Sequence, residues 1–156
     1  MRASINIRQV LENEGIKYKV LEHPIAFTAL EIAEAQHIPG QQVLKAVVLK
    51  VDTQLIMCVL SATRKVDFGK LLKELNGKEA HLVPEGLLAQ LFPEYEVGAM
   101  PPFGHLAGLK VYVDKILDEN DQVAFNAGSH REMLQVKFKD YLKLAQPTFI
   151  DFGVHI

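Results

Sequence analysis

Val43-Leu44-Lys45-Ala46-Val47-Val48-Leu49-Lys50-Val51, then Asp52-Thr53, then Gln54-Leu55-Ile56-Met57-Cys58-Val59-Leu60, is the stretch that decides the fold. Two apolar runs are separated by two turn residues. Both read as strands, and a connection this short permits only antiparallel pairing. The second run is apolar on both faces and reads as a central strand. Along the first run side chains alternate, so Val43, Lys45, Val47, Leu49 and Val51 share a face. A lysine in that row either snorkels out at the strand end or lines a cavity that needs a cation.

Working outward, residues 4–14 read as a helix with Ser4 as cap, Ile7, Val10 and Leu11 as its stripe and Gly15 as its stop. Ile16, Tyr18 and Val20 alternate as a strand over 16–22, broken by His23-Pro24. Thr28-Ala29-Leu30-Glu31 is a capping-box pattern opening a short helix to about Gln36. Asp67 can cap a helix over 68–75, and Pro84 suits the first turn of another reaching Leu91. Residues 93–105 are rich in turn formers. Strands are expected over 109–113 and 122–125, and a helical stretch over 131–144 that Pro147 closes. With no regular βαβ series, the expected class is α/β of the α+β kind. It is a single domain over 1–156, with a mixed, mainly antiparallel central sheet packed by helices.

The chain has 156 residues, and its 49% hydrophobic content is enough for one domain with a substantial core. A formal net charge of -2 supplies no global basic field, so DNA is not an expected partner and any nucleic-acid contact is local. Cys58 is the only cysteine, which excludes an internal disulfide, and its apolar neighbours predict an inert buried thiol. No signal peptide is visible, and no apolar run approaches the ~18 residues of a membrane span. A soluble cytoplasmic protein without membrane partners is the expectation.

The motifs of several enzyme classes are missing. There is no Walker A loop, no G-x-G-x-x-G and no G-x-S-x-G elbow. The six histidines lack metal-ligand spacing. An enzyme of this composition is expected to work without metal or other cofactor. Positioning, backbone electrostatics and activated water remain.

Four segments, in this order and spacing, carry a resemblance: His23-Pro24-Ile25-Ala26-Phe27-Thr28 with Glu31, Lys45 on its strand, Gly98-Ala99-Met100-Pro101-Pro102, and Gly128-Ser129-His130. Together they resemble the YbaK/prolyl-tRNA synthetase-associated family over about residues 4 to 147. That family includes the inserted editing domain of bacterial prolyl-tRNA synthetases and its free-standing relatives. The resemblance implies a mixed α/β fold and trans-acting hydrolysis of mischarged aminoacyl-tRNA. The tRNA 3′ end would be the substrate partner, and an aminoacyl-tRNA synthetase a further one.

It also implies roles for residues. Lys45 matches the lysine required for deacylation, and would hold a terminal phosphate or stabilise charge on the ester carbonyl. Gly98 and Pro102 match the G-x-x-x-P loop, whose stiff backbone would bind the carbonyl or orient water. On residue chemistry alone that loop reads equally as a proline-rich connection. Ser129 and His130 would line the pocket, or else begin a helix as cap and first turn. Thr28 would lie at the pocket mouth, although the capping box accounts for Thr28 and Glu31 as structure. Several relatives carry a polar residue after the lysine where this chain has Ala46. The substrate is expected to lie between Lys45 and the 98–102 loop, with Lys45 poorly exposed and close to Pro102. The alternative is a non-catalytic module binding an amino acid, a nucleotide or a tRNA end.

Overall fold

The two runs around Asp52 form the centre of the molecule. The structure is a computed structural model and describes residues 6–22, 39–96, 98–128 and 132–156. In chain order the elements begin with α1 (Ile7–Asn13), β1 (Lys19–Glu22), β2 (Leu44–Val51), β3 (Gln54–Ser61) and β4 (Arg64–Val66). There follow α2 (Phe68–Leu75), β5 (Ala80–Leu82), α3 (Glu85–Leu91), β6 (Lys110–Asp114) and β7 (Gln122–Asn126). The chain continues through β8 (Glu132–Lys137), α4 (Phe138–Ala145), β9 (Thr148–Ile150) and β10 (Gly153–His155).

β2 and β3 pair antiparallel from Leu44↔Ser61 to Val51↔Gln54. Asp52 makes the turn at φ +53°, and its side chain accepts the N–H groups of Lys78 and Glu79, both at 3.0 Å. Asp is among the few side chains that enter this left-handed region, and here the bonds to Lys78 and Glu79 hold it there. The central sheet runs β5-β2-β3-β6-β9, antiparallel across β5-β2-β3 and parallel across β3-β6-β9. A second, antiparallel sheet runs β1-β8-β7, and β4 pairs with β10. The class is therefore α/β of the α+β kind with mixed, mainly antiparallel pairing. The two larger sheets meet at one parallel bridge, Val43↔Ala124.

Alternation along β2 separates the core into layers. Leu44, Ala46 and Val48 pack into the main cluster with Phe92, Phe103, Phe125 and Tyr141. Val47, Leu49 and Val51 face a second cluster with Leu60, Leu71 and Phe152. Val43 enters a third, with Ala62, Ala124 and Met133. Burying such side chains contributes about 1.5–3 kcal/mol each. Cys58 is fully buried at the centre, and burial pushes its thiol up to about 12, so it stays protonated and unreactive.

Several expectations shift. The helix expected over 4–14 spans Ile7–Asn13 with Asn6 as its cap, and Ser4 lies outside the described residues. The short helix expected from Thr28 to Gln36 also falls outside them. The largest correction is over 131–144, where β8 precedes α4. Met133 and Leu134 on successive positions are both fully buried, facing different clusters, as in a strand covered on both sides.

Candidate active site

β2 brings Lys45 to an unfilled stretch of sheet edge. β3 occupies one side of β2 throughout. On the other side β5 pairs only with Leu49 to Val51, Val83 N–H reaches Val48 C=O at 3.4 Å, and the bridge to β7 lies at Val43. Between these points no described strand pairs with that edge. The loop carrying Gly98 and the turn after β7 stand there instead. Glu96 N–H donates to Gly128 C=O at 2.9 Å, and Gly128 N–H to Ala99 C=O at 3.1 Å. Two segments far apart in sequence are thus tied backbone to backbone.

Glycine is favoured at Gly128, in the tie, and at Gly98, within the loop that the tie holds. Gly98 has φ +84° and Gly128 φ +105°, backbone that a side chain disfavours. A Cβ on Gly128 would also stand 3.0 Å from the Tyr95 ring. Beside the tie is a cavity of about 170 Å³, lined among others by Ala46, Val48, Val83, Phe92, Gly98 and Met100.

Lys45 itself is half-buried. Burial lowers its pKa below the usual lysine value, and no carboxylate offsets that effect. Among the described residues it makes no hydrogen bond or ion pair; the salt bridges there are Arg8–Glu132, Arg64–Asp114, Lys70–Asp151 and His81–Glu79. The lysine thus keeps its three donors for something other than protein. Its side chain shares the face of Val43 and Val47, and Ala46, Val47 and Val48 next along β2 all line the cavity.

Pro102 anchors the far end of the loop that carries Gly98. It is buried, and its carbonyl accepts a hydrogen bond from the Tyr141 hydroxyl at 2.8 Å. Tyr141 stacks on Phe138 and meets Phe103 edge-on, all within the main cluster. The 98–102 loop therefore approaches β2 through Gly98 and is anchored in the core through Pro102. Thr28, Ser129 and His130 lie outside the described residues. Sequence reasoning passed over the cavity residues Phe92 and Met100, whose apolar character marks them only as core.

A mixed sheet of this topology, with a half-buried lysine on a strand edge met by glycine-bearing loops, defines a class of fold and site. A family model described as the aminoacyl-tRNA editing domain matches residues 23–144. The chain belongs to that family, as its resemblance to the YbaK/prolyl-tRNA synthetase-associated proteins implied. Among particular relatives, the multifunctional Ser/Thr-tRNA deacylase ProXp-y of Escherichia coli K12 is 30% identical over 148 residues, covering 92% of this chain and 88% of that protein. The protein of the same description from Escherichia coli O157:H7 matches to the same extent. A crystal structure of a candidate trans-editing enzyme for prolyl-tRNA synthetase superposes with a TM-score of 0.82 at 25% identity, covering 95% of this chain and 94% of that one. A hypothetical protein at 16% identity and TM-score 0.83, covering 95% and 99%, shares the fold.

Proposed function

We propose that this chain is a trans-acting deacylase that hydrolyses the ester between a small, wrongly attached amino acid and the 3′-terminal adenosine of tRNA. The observation that carries the reading is Lys45, a half-buried ammonium with no counter-ion among the described residues, on a strand whose open edge meets the loop tied at Glu96 and Ala99 to Gly128. Burying part of a cation has a cost that an anionic or developing-anionic ligand offsets. Lys45 would hold the terminal phosphate or the carbonyl oxygen that becomes negative when water attacks. Gly98, on its stiff loop, would present backbone to the aminoacyl group. Pro102 would act from a distance by fixing that loop. Thr28, Ser129 and His130 would complete the pocket wall.

In the reaction water adds to the ester carbonyl, and the ribose oxygen leaves with a proton. A neighbouring ribose hydroxyl would assist, since no described side chain is an evident general base. The products are the free amino acid and tRNA with its terminal hydroxyl restored. Such a reaction belongs to the cytoplasm, where tRNA is charged, and a synthetase partner could deliver the substrate. The site would be a single domain's, built within residues 1–156.

Lys45→Ala tests the reading. Release of amino acid from tRNA mischarged with a small residue should fall by about 10²-fold or more, with thermal unfolding at the same temperature or higher. Undiminished release would sink the assignment. Saturable binding without release by the wild type would favour a binding module.

A further inference from the structure

The deacylase reading leaves Asn126 without a task. Asn126 ends β7, where Val123 and Phe125 face the main cluster and Ala124 faces the third. Alternation turns Asn126 to the side of Ala124. Met133, its register partner on β8, is fully buried in that third cluster, which places Asn126 on the same side. The same step applies on β2, where Val43 belongs to the third cluster and Lys45 lies two residues on. Because the Val43–Ala124 bridge is parallel, both steps run in one direction. Lys45 and Asn126 are therefore neighbours on one face, across the seam between the two sheets. The bridge fixes the start of both steps, and each side chain lies two residues beyond it.

Neither group is satisfied by protein. Asn126 Oδ1 is buried and has no hydrogen-bond partner. Leaving such an acceptor unmade costs about 1–3 kcal/mol. Lys45 beside it is equally unpartnered. Side by side, a donor-only cation and an acceptor await one ligand carrying an acceptor and a donor close together. A second ammonium at Asn126 would sit beside Lys45 as an uncompensated like charge, so a neutral donor fits better.

We infer that Asn126 accepts a hydrogen bond from a hydroxyl of the aminoacyl-adenosine end while Lys45 holds an adjacent oxygen, which makes Asn126 a specificity-determining residue of this site. The inference rests on the deacylase reading. Two hydroxyls lie next to the ester: that of a seryl or threonyl side chain, and the free ribose hydroxyl.

The experiment charges one tRNA in turn with serine and with alanine, and compares the wild type with Asn126→Leu, which keeps the bulk and removes the acceptor. If the side chain supplies the hydroxyl, seryl release falls about 10-fold or more and alanyl release stays within about 2-fold. If the ribose supplies it, both fall by the same factor, and a substrate ending in 2′-deoxyadenosine no longer distinguishes the two proteins. Either result supports the acceptor role. Equal rates for the two proteins on all of these substrates overturn it and leave the deacylase reading standing. No release by the wild type overturns both. Should Asn126→Leu not fold, Asn126→Ser, which adds no bulk and lacks the reach, carries the same comparison.

Discussion

Lys45 works against the stability of the molecule that carries it. Burial makes the folded chain hold this proton less tightly than the unfolded chain does. Below the lowered pKa both states are protonated, and the cost of the half-buried charge is present in full. Between that value and the ordinary lysine range the unfolded chain binds more protons, so this site's contribution to stability rises with pH. Activity has the opposite sign, because a ligand-holding ammonium is lost as pH rises through the lowered pKa. Deacylation should therefore decline on the alkaline side earlier than an exposed lysine would dictate. Lys45→Arg, charged throughout, should carry that limb upward while lowering the rate, because its planar fork does not replace a point charge. A pH–rate profile of both proteins checks this, and coincident alkaline limbs would contradict it. The lysine's place in a core-facing row was legible from alternation alone. Its lack of a counter-ion was not, since that depends on what β7 and the loops bring alongside.

At the scale of elements, α4 serves the site by tethering a loop it does not belong to. The Tyr141 hydroxyl, wholly buried, donates to Pro102 C=O, and burial pushes this phenol's pKa far up, so it remains a donor. Tyr141→Phe leaves the ring stack and strands a buried carbonyl. Stability should fall by about 1–3 kcal/mol, read by chemical unfolding with an unchanged denaturant slope. A variant as stable as the wild type would show that the bond is replaced. The α4 region also shows where sequence reading ran out. Leu134, Phe138, Tyr141 and Ala145 fall at helical spacing, which favours one continuous helix over 131–144. The break at Lys137–Phe138 carries no glycine or proline, and Lys137 makes no side-chain cap. Only pairing with β1 and β7, on both sides, makes β8 a strand. By contrast the helix over 68–75 was readable to the residue, because Asp67 caps it by accepting Lys70 N–H at 3.0 Å and Asn76 ends it in the left-handed region.

At the scale of the whole molecule, two sheets bridged at Val43–Ala124 place the candidate site on their seam. A ligand held by Lys45 and Asn126 would span that seam. Binding of a non-hydrolysable aminoacyl-adenosine analogue should slow amide exchange in β7 and β8 as well as in β2, although Lys45 belongs to β2 alone. Slowing confined to β2 would place the ligand elsewhere. The class of fold was legible from the 43–60 hairpin and from the absence of a βαβ rhythm. The parallel half of the central sheet was not, because its outer strand β9 is only three residues and signals little.

One further feature bears on how the molecule is made. Asp114, almost wholly buried, is bonded by Arg64 at 2.8 Å, and Arg64 also donates to Gly153 C=O at 2.6 Å. A Cβ on Gly153 would stand 2.1 Å from the Asp114 carboxylate, so the late strand closes directly over the pair. Ribosomal synthesis delivers Arg64 and Asp114 long before Gly153. Until β10 arrives, the charged pair lies under no lid and water keeps its place there. β10 is thus the strand that seals an ion pair whose two members, Arg64 and Asp114, both precede it in the chain.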